Sequence, residues 1–232
     1  KNANSTCRKQ NSSVVLYPEA SYSFDGTATE IGDSTGKLIK LLKVPVIMVK
    51  TEGAFHHTPL YNSLIVRNNK VSATMTYLLS PEQINEMSAE EIDAIIHEQF
   101  NYDHFKWQKE NNIVEDHPER AKMLNRVLYK CPNCLAEGKT VGEGTTLTCT
   151  SCGKVWEMDI YGQMQAKDGM TEFHHIPDWY KWQRECVREE LENGTYLLDT
   201  EVDIAVQVNL EGVCMIEPGR LIHDSNGFHL TG

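Results

Sequence analysis

The sequence predicts an α/β protein: a strand, helix and strand block, then a helical segment, a four-cysteine ribbon and a C-terminal β segment. Three observations carry that prediction. Short β-branched runs bracket one amphipathic stretch over residues 13–49, two Cys-x-x-Cys pairs sit in a glycine-punctuated stretch, and apolar and polar residues alternate beyond Thr195. The expected divisions are residues 1–78, 79–128, 129–165 and 166–232.

Ser13-Val-Val-Leu-Tyr17 ends at Pro18 and reads as a buried strand feeding the loop Glu19 to Gly32. Asp33 or Ser34 offers an N-cap, and Leu38, Leu41 and Leu42 recur at helical spacing, so a helix should end near Lys43. Val44 to Val49 reads as the next strand. Strand, helix and strand in this order predict a βαβ unit with parallel pairing and a right-handed crossover. Val71, Ala73, Met75 and Tyr77 alternate with Ser72, Thr74 and Thr76, which predicts a strand with one wet face. Ser80-Pro81 opens the helical region. Ser88-Ala-Glu-Glu91 is a capping box for a helix whose apolar face is Ile92, Ile95, Ile96 and Phe100. Pro177 starts a further helix carrying Trp179, Trp182, Cys186 and Leu191, and Asn193-Gly194 stops it. In the last segment Ile204, Val206 and Val208 alternate with polar residues, and Pro218-Gly219 and Asn226-Gly227 mark turns.

Composition narrows the function classes. The 232 residues carry 22 Lys plus Arg against 33 Asp plus Glu, a net charge of -11, and are 40% hydrophobic. An acidic chain lacks the clustered cations that release counterions from phosphates, so nucleic acid is not an expected partner. Much of the acidity falls between Glu82 and Arg120, with eleven acidic and three basic residues, and reads as a solvated helical face. No apolar run approaches the roughly 20 residues of a membrane span. The chain begins at Lys1 and stops inside a strand-like run, so it is expected to be a fragment.

Four of the seven cysteines form Cys131-Pro-Asn-Cys134 and Cys149-Thr-Ser-Cys152, 14 residues apart. Each Cys-x-x-Cys turn aims two thiolates at one centre, and Gly153 permits the tight turn after the second pair. Four sulfurs predict a structural Zn²⁺ site, because a closed shell leaves no position for water. Reduced thiols imply a cytoplasmic location. Cys7, Cys186 and Cys214 read as unpaired thiols, the last two as buried small hydrophobes.

The loop Tyr17-Pro-Glu-Ala-Ser-Tyr-Ser-Phe-Asp-Gly26 lies where open α/β sheets collect ligands. It resembles the Phe-Pro-Glu-Gly-Thr-Arg-Ser motif of the glycerophospholipid acyltransferases. Val44-Pro-Val-Ile-Met-Val49, one helix later, resembles that family's downstream Val-Pro strand. The resemblance covers Val14 to Lys50, and the later segments resemble a bacterial branch with a long C-terminal extension. It implies the second half of an acyltransferase-type domain that moves a fatty acyl group from a thioester donor to a glycerol-phosphate or related lipid hydroxyl. Glu19 matches the acidic residue that shapes the acceptor site, Ser21 stands for threonine, Ser23 matches the final serine and Ala20 replaces glycine. Tyr22 replaces the arginine that grips an acceptor phosphate, so an anionic acceptor group would be absent or held elsewhere, for instance by Lys37.

The family's catalytic pair, a histidine followed after four residues by an aspartate, does not occur in this sequence. This chain alone is therefore expected to be inactive, with the acyl thioester, the lipid acceptor and peripheral membrane contact belonging to the full-length protein. A non-catalytic zinc-ribbon binding or scaffold module is the alternative. His56-His57 could line the same site, but read better as loop residues touching solvent or the helical region. Adjacent His174-His175 should point to opposite sides and are not expected to share a metal.

Overall fold

The computed structural model describes residues 12–209 and 212–232, so Cys7 lies outside the described part. The chain separates into two compact units, residues 1–180 and 181–232. Both helices and antiparallel sheets are present.

The first unit contains α1 (Thr35–Leu42), β1 (Val46–Glu52), α2 (Ala54–His57), β2 (Ser72–Leu79), α3 (Pro81–Glu86), α4 (Ala89–Phe100) and α5 (His104–Glu110). Its ribbon strands are β3 (Thr140–Glu143), β4 (Thr146–Cys149), β5 (Val155–Met158) and β6 (Met164–Ala166). Helix α6 (Ile176–Glu192) starts in this unit and continues into the second.

Local chemistry sets the helices. Ser80 Oγ accepts from the Gln83 N–H at 3.2 Å while Gln83 Oε1 accepts from the Ser80 N–H at 2.8 Å, and Ser88 and Glu91 repeat this exchange at 3.1 and 2.7 Å. Two orphan donors are satisfied in each box. Ser34 occupies the N-cap of α1 without a side-chain bond; Asp93 of α4 instead accepts from the Gly36 N–H. A Cβ on Gly36 would stand 2.1 Å from the Ala89 carbonyl oxygen, so glycine is what lets α1 and α4 close together. The apolar stripes then meet in one cluster of Ile31, Ile39, Leu79, Ile84, Ile92 and Ile96, with Ile95 and Phe100 packed against it.

The sheet differs from the expected βαβ unit. Residues 13–17 form no strand, and Tyr17 is 83% exposed. β1 pairs with β2, antiparallel, in register Ile47↔Tyr77 and Val49↔Met75. A β-branched run records fitness for a sheet rather than an intrinsic backbone state, and no strand among the described residues pairs with Ser13–Tyr17. The expected alternation on β2 is also absent: Ser72 through Tyr77 are exposed on both faces. Ile47, Val49, Met75 and Tyr77 make an apolar face that the described residues leave uncovered.

The ribbon strands form a four-stranded antiparallel sheet in the order β3-β4-β5-β6. Leu147, Trp156, Met158 and Met164 are buried with Trp179, whose ring meets that of Trp156 edge-on at 5.0 Å. Each indole donates to a partner, Trp156 Nε1 to Glu172 at 3.1 Å and Trp179 Nε1 to the Lys130 carbonyl at 3.0 Å.

In the second unit β7 (Leu197–Asn209), β8 (Gly212–Asp224) and β9 (Gly227–Thr231) form an antiparallel meander. Pro218-Gly219 is not a turn but lies inside β8, opposite Asp203 and Val202. β9 pairs only from Arg220 onward, so the imino nitrogen of Pro218 interrupts no ladder on that side, and the register slips nearby between Asp203 and Ala205. Gly219 is needed there because a Cβ would lie 2.5 Å from both Ile204 Cδ1 and the Thr231 carbonyl. Cys214, expected to be buried, is exposed on β8, and Cys186 is partly exposed.

Candidate functional site

Cys131, Cys134, Cys149 and Cys152 converge, with all four Sγ atoms within 4.8 Å of one another. The two Cys-x-x-Cys turns are built alike. The Cys131 N–H donates to the Ala136 carbonyl and the Leu135 N–H to the Cys131 carbonyl, both at 2.9 Å; the Cys149 N–H donates to Lys154 and the Gly153 N–H to Cys149 at 2.9 and 2.8 Å. The residue after each second cysteine takes a left-handed conformation, φ 76° at Gly153 and 63° at Leu135. Sγ separations are 3.8 Å for Cys131 to Cys152 and 3.7 Å for Cys134 to Cys149. A tetrahedron with metal–sulfur bonds of about 2.3 Å has edges of about 3.8 Å, so the donor set fits a four-coordinate metal ion. Asn133 Nδ2 donates to Cys152 Sγ at 3.5 Å, an outer contact of the sort that orients metal ligands. Burial pushes the Cys131 and Cys149 thiols up. At Cys152 burial acts the same way, but hydrogen bonds from the Lys154 N–H, Asn133 and neighbouring thiols outweigh it and bring it to about 6.

A second feature is a cleft of about 590 Å³ in the first unit, within the usual small-molecule range. Glu19, Ser21, Tyr22 and Ser23 line it together, facing Met48, Val49, Lys50 and Thr51 of β1, with Phe55, Phe100 and Tyr102 supplying apolar wall. The loop is tied down. The Ala20 N–H donates to the Tyr17 carbonyl at 3.1 Å, Ser23 Oγ accepts from the Gly26 N–H at 2.8 Å, and the Ala28 and His104 N–H groups bond Tyr102 and Gly26 carbonyls at 2.8 and 2.9 Å. Glu19 Oε1 accepts from the Thr29 N–H at 2.9 Å and from its hydroxyl at 3.4 Å, so one carboxylate oxygen braces the loop. Glu19 Oε2 has no partner among the described residues. Ala20 has φ 53°, a conformation that favours glycine.

Lys37, the cation expected to substitute for the missing arginine, sits exposed on α1 and does not line the cleft. Lys50 does, and its Nζ lies 5.5 Å from the centre of the Tyr102 ring. Sequence reading missed Lys50; the available signal was period two, since it falls on the same side of the strand as buried Met48.

His56 and His57 are not loop residues: they end α2, His56 is buried at 2% exposed and His57 is partly exposed. His56 packs its ring 4.1 Å from that of His104, edge-on, on the helical region's α5, and both ring nitrogens of His56 lack a hydrogen-bond partner among the described residues. Neither histidine lines the cleft, but Tyr102, which does, has its hydroxyl 3.2 Å from His104 Nδ1 and accepts from the Gly53 N–H at 3.5 Å. Burial pushes Tyr102 up to about 12, so its hydroxyl is neutral where it meets His104 Nδ1. Burial lowers His56 and takes His104 down to about 3. His174 and His175 diverge as expected, His174 Nδ1 to the Met164 carbonyl at 3.1 Å and His175 Nε2 to Asp103 at 2.7 Å.

No helix among the described residues is long and apolar enough to cross a membrane. Comparison of the chain with protein-family models, curated proteins and solved structures gave no significant match in any of the three.

Proposed function

We propose that this chain is the acceptor-site half of an acyltransferase, which moves a fatty acyl group from a thioester to the hydroxyl of a glycerol-phosphate or related lipid acceptor, and that its ribbon holds a structural zinc ion. The observation that carries the reading is convergence: the Pro-Glu loop and the Val-Pro strand, separate blocks in the sequence, line one cleft. The left-handed conformation of Ala20 adds support, because it stands where the motif it resembles has glycine. So does the uncovered face of β1 and β2. A two-stranded ribbon is marginal by itself, and Ile47, Val49, Met75 and Tyr77 call for a further layer of chain.

In this reading Glu19 Oε1 keeps the loop in place while Oε2 accepts from an acceptor hydroxyl, with Ser21 and Tyr22 offering further hydroxyls at the rim. The proton-abstracting histidine and its aspartate belong to another segment of the full-length protein, because these 232 residues lack that spacing. Zinc, once bound by Cys131, Cys134, Cys149 and Cys152, supplies folding energy and no reaction step. The test is acyl release from a thioester by the full-length protein with glycerol 3-phosphate, lysophosphatidate or monoacylglycerol as acceptor. Transfer that falls at least tenfold in Glu19→Gln is expected. No transfer to any of the three would overturn the enzyme reading in favour of a scaffold, and elemental analysis finding well under one zinc per chain would overturn the metal.

A further inference from the structure

We propose that Lys50 is the anion-binding residue of the cleft and that its ligand is a phosphomonoester, which deepens the acyltransferase reading and rests on it for the identity of the acceptor. Among the residues lining the cleft, Lys50 is the one cation, set against the carboxylate of Glu19. No carboxylate pairs with it among the described residues; its contact is the face of Tyr102 at 5.5 Å. Lys50 is partly exposed, so its ammonium group, without a counter-ion, is open to a ligand anion in the cleft. Lys50 projects from the same side of β1 as buried Met48, so the strand rather than a flexible loop fixes its origin. Tyr102 in turn is held by the Gly53 N–H and by His104, which limits where the ammonium can rest.

The rest of the cleft fits the same ligand. Tyr22 brings a hydroxyl and no charge to the position where a cation is expected, so the loop alone offers a phosphate no ion pair. Lys50 supplies one positive charge from across the cleft, while Glu19 Oε2 repels phosphate and accepts from a hydroxyl. Charge thus sorts the two ends of a glycerol-phosphate-like molecule. Phosphate goes toward β1, and hydroxyl toward the Pro-Glu loop.

Binding and transfer provide separate arms. Isothermal titration of this chain with glycerol 3-phosphate, with glycerol as the uncharged control, should give a dissociation constant that rises roughly 10- to 100-fold in Lys50→Met, the loss of one charge-assisted hydrogen bond, and only a few-fold in Lys50→Arg. Equal binding by wild type and Lys50→Met, or no binding by wild type, overturns the proposal; unchanged thermal unfolding of the variant separates this from misfolding. In the full-length protein Lys50→Met should raise KM for glycerol 3-phosphate and lysophosphatidate by the same factor, with kcat within about threefold and monoacylglycerol unaffected. An equal loss on the uncharged acceptor overturns the assignment, and the stronger of the two phosphorylated acceptors tells a soluble source from a lipid one. Lys50-dependent phosphate binding without transfer to any acceptor would uphold the anion site and sink the acyltransferase reading.

Discussion

Acid should loosen the first unit through its buried histidines, and His104 gives the size of the effect. His104 is fully buried, and burial lowers it from 6.5 to about 3. A group held neutral in the folded state contributes stability that is complete above its unfolded value and is lost as pH falls toward the folded one, so the window runs from about 6.5 down to about 3. At pH 5 an unfolded histidine is almost fully protonated while His104 is not, and the difference amounts to about 2 kcal/mol. At pH 4 it reaches about 3 kcal/mol. His56, lowered by the same burial, acts in the same direction. Urea unfolding followed by circular dichroism at pH 7 and pH 5 measures the loss. His104→Asn keeps an amide oxygen for Tyr102 and does not titrate; it should be less stable at pH 7, but its loss on going to pH 5 should be smaller than that of wild type by about 2 kcal/mol. Acid effects at the cysteines and carboxylates cancel in this comparison. Equal losses in the two proteins would refute the reasoning.

Leu135 holds φ 63° while 60% exposed, so Leu135→Gly should stabilise the metal-bound protein by about 1 kcal/mol, seen as a higher melting temperature; a lower one would contradict the strain assigned to it. Gly36→Ala should do the reverse, because the added Cβ meets the Ala89 carbonyl and must push α1 from α4 at a cost of about 3 kcal/mol, readable as a lower urea midpoint. A chelator strong enough to strip the four cysteines should shift Trp156 emission to longer wavelength as β3–β6 open, and added zinc should reverse it; no shift would mean that the ribbon folds without metal.

What the sequence disclosed divides by range. The helix opening at Ser80-Pro81, the capping box at Ser88, the Ile92–Ile96 stripe and both cysteine turns are set by residues within a few positions of each other, and each lies where periodicity and spacing put it. Strand pairing is not local. The Ser13–Tyr17 run carries strand chemistry yet pairs with no strand among the described residues, and Val46–Glu52 takes its partner from the strand that follows it. His56 and His104 meet only through the packing of α2 on α5, which no spacing rule anticipates. Pro218-Gly219 misleads because turn chemistry and bulge chemistry draw on the same residues; here the Ile204 side chain packs against Gly219, leaving room for no Cβ. At the cleft the loop residues Glu19, Ser21, Tyr22 and Ser23 were legible as a group, whereas Lys50 was hidden in a strand whose inward side depends on what packs beneath it.

The ribbon is not a bead hung on the first unit, because buried polar groups join it to the cleft's supports. The Glu115 N–H donates to the Ile160 carbonyl in the turn after β5, and Arg120 Nε donates to the Met158 and Asp159 carbonyls. Tyr61 donates to the Arg120 carbonyl at 2.7 Å, and the buried guanidinium of Arg67 reaches Asn62, Tyr61 and Glu115. Gly162 lies against the Phe105 ring, and Gln108 of the same helix donates to the Ile160 carbonyl. Phe105 and His104 also enclose Gly26 at the base of the Pro-Glu loop, where a Cβ would meet both at 3.2 and 3.3 Å. A buried arginine deprived of its partners carries a large desolvation cost, so the segments it joins hold or loosen together.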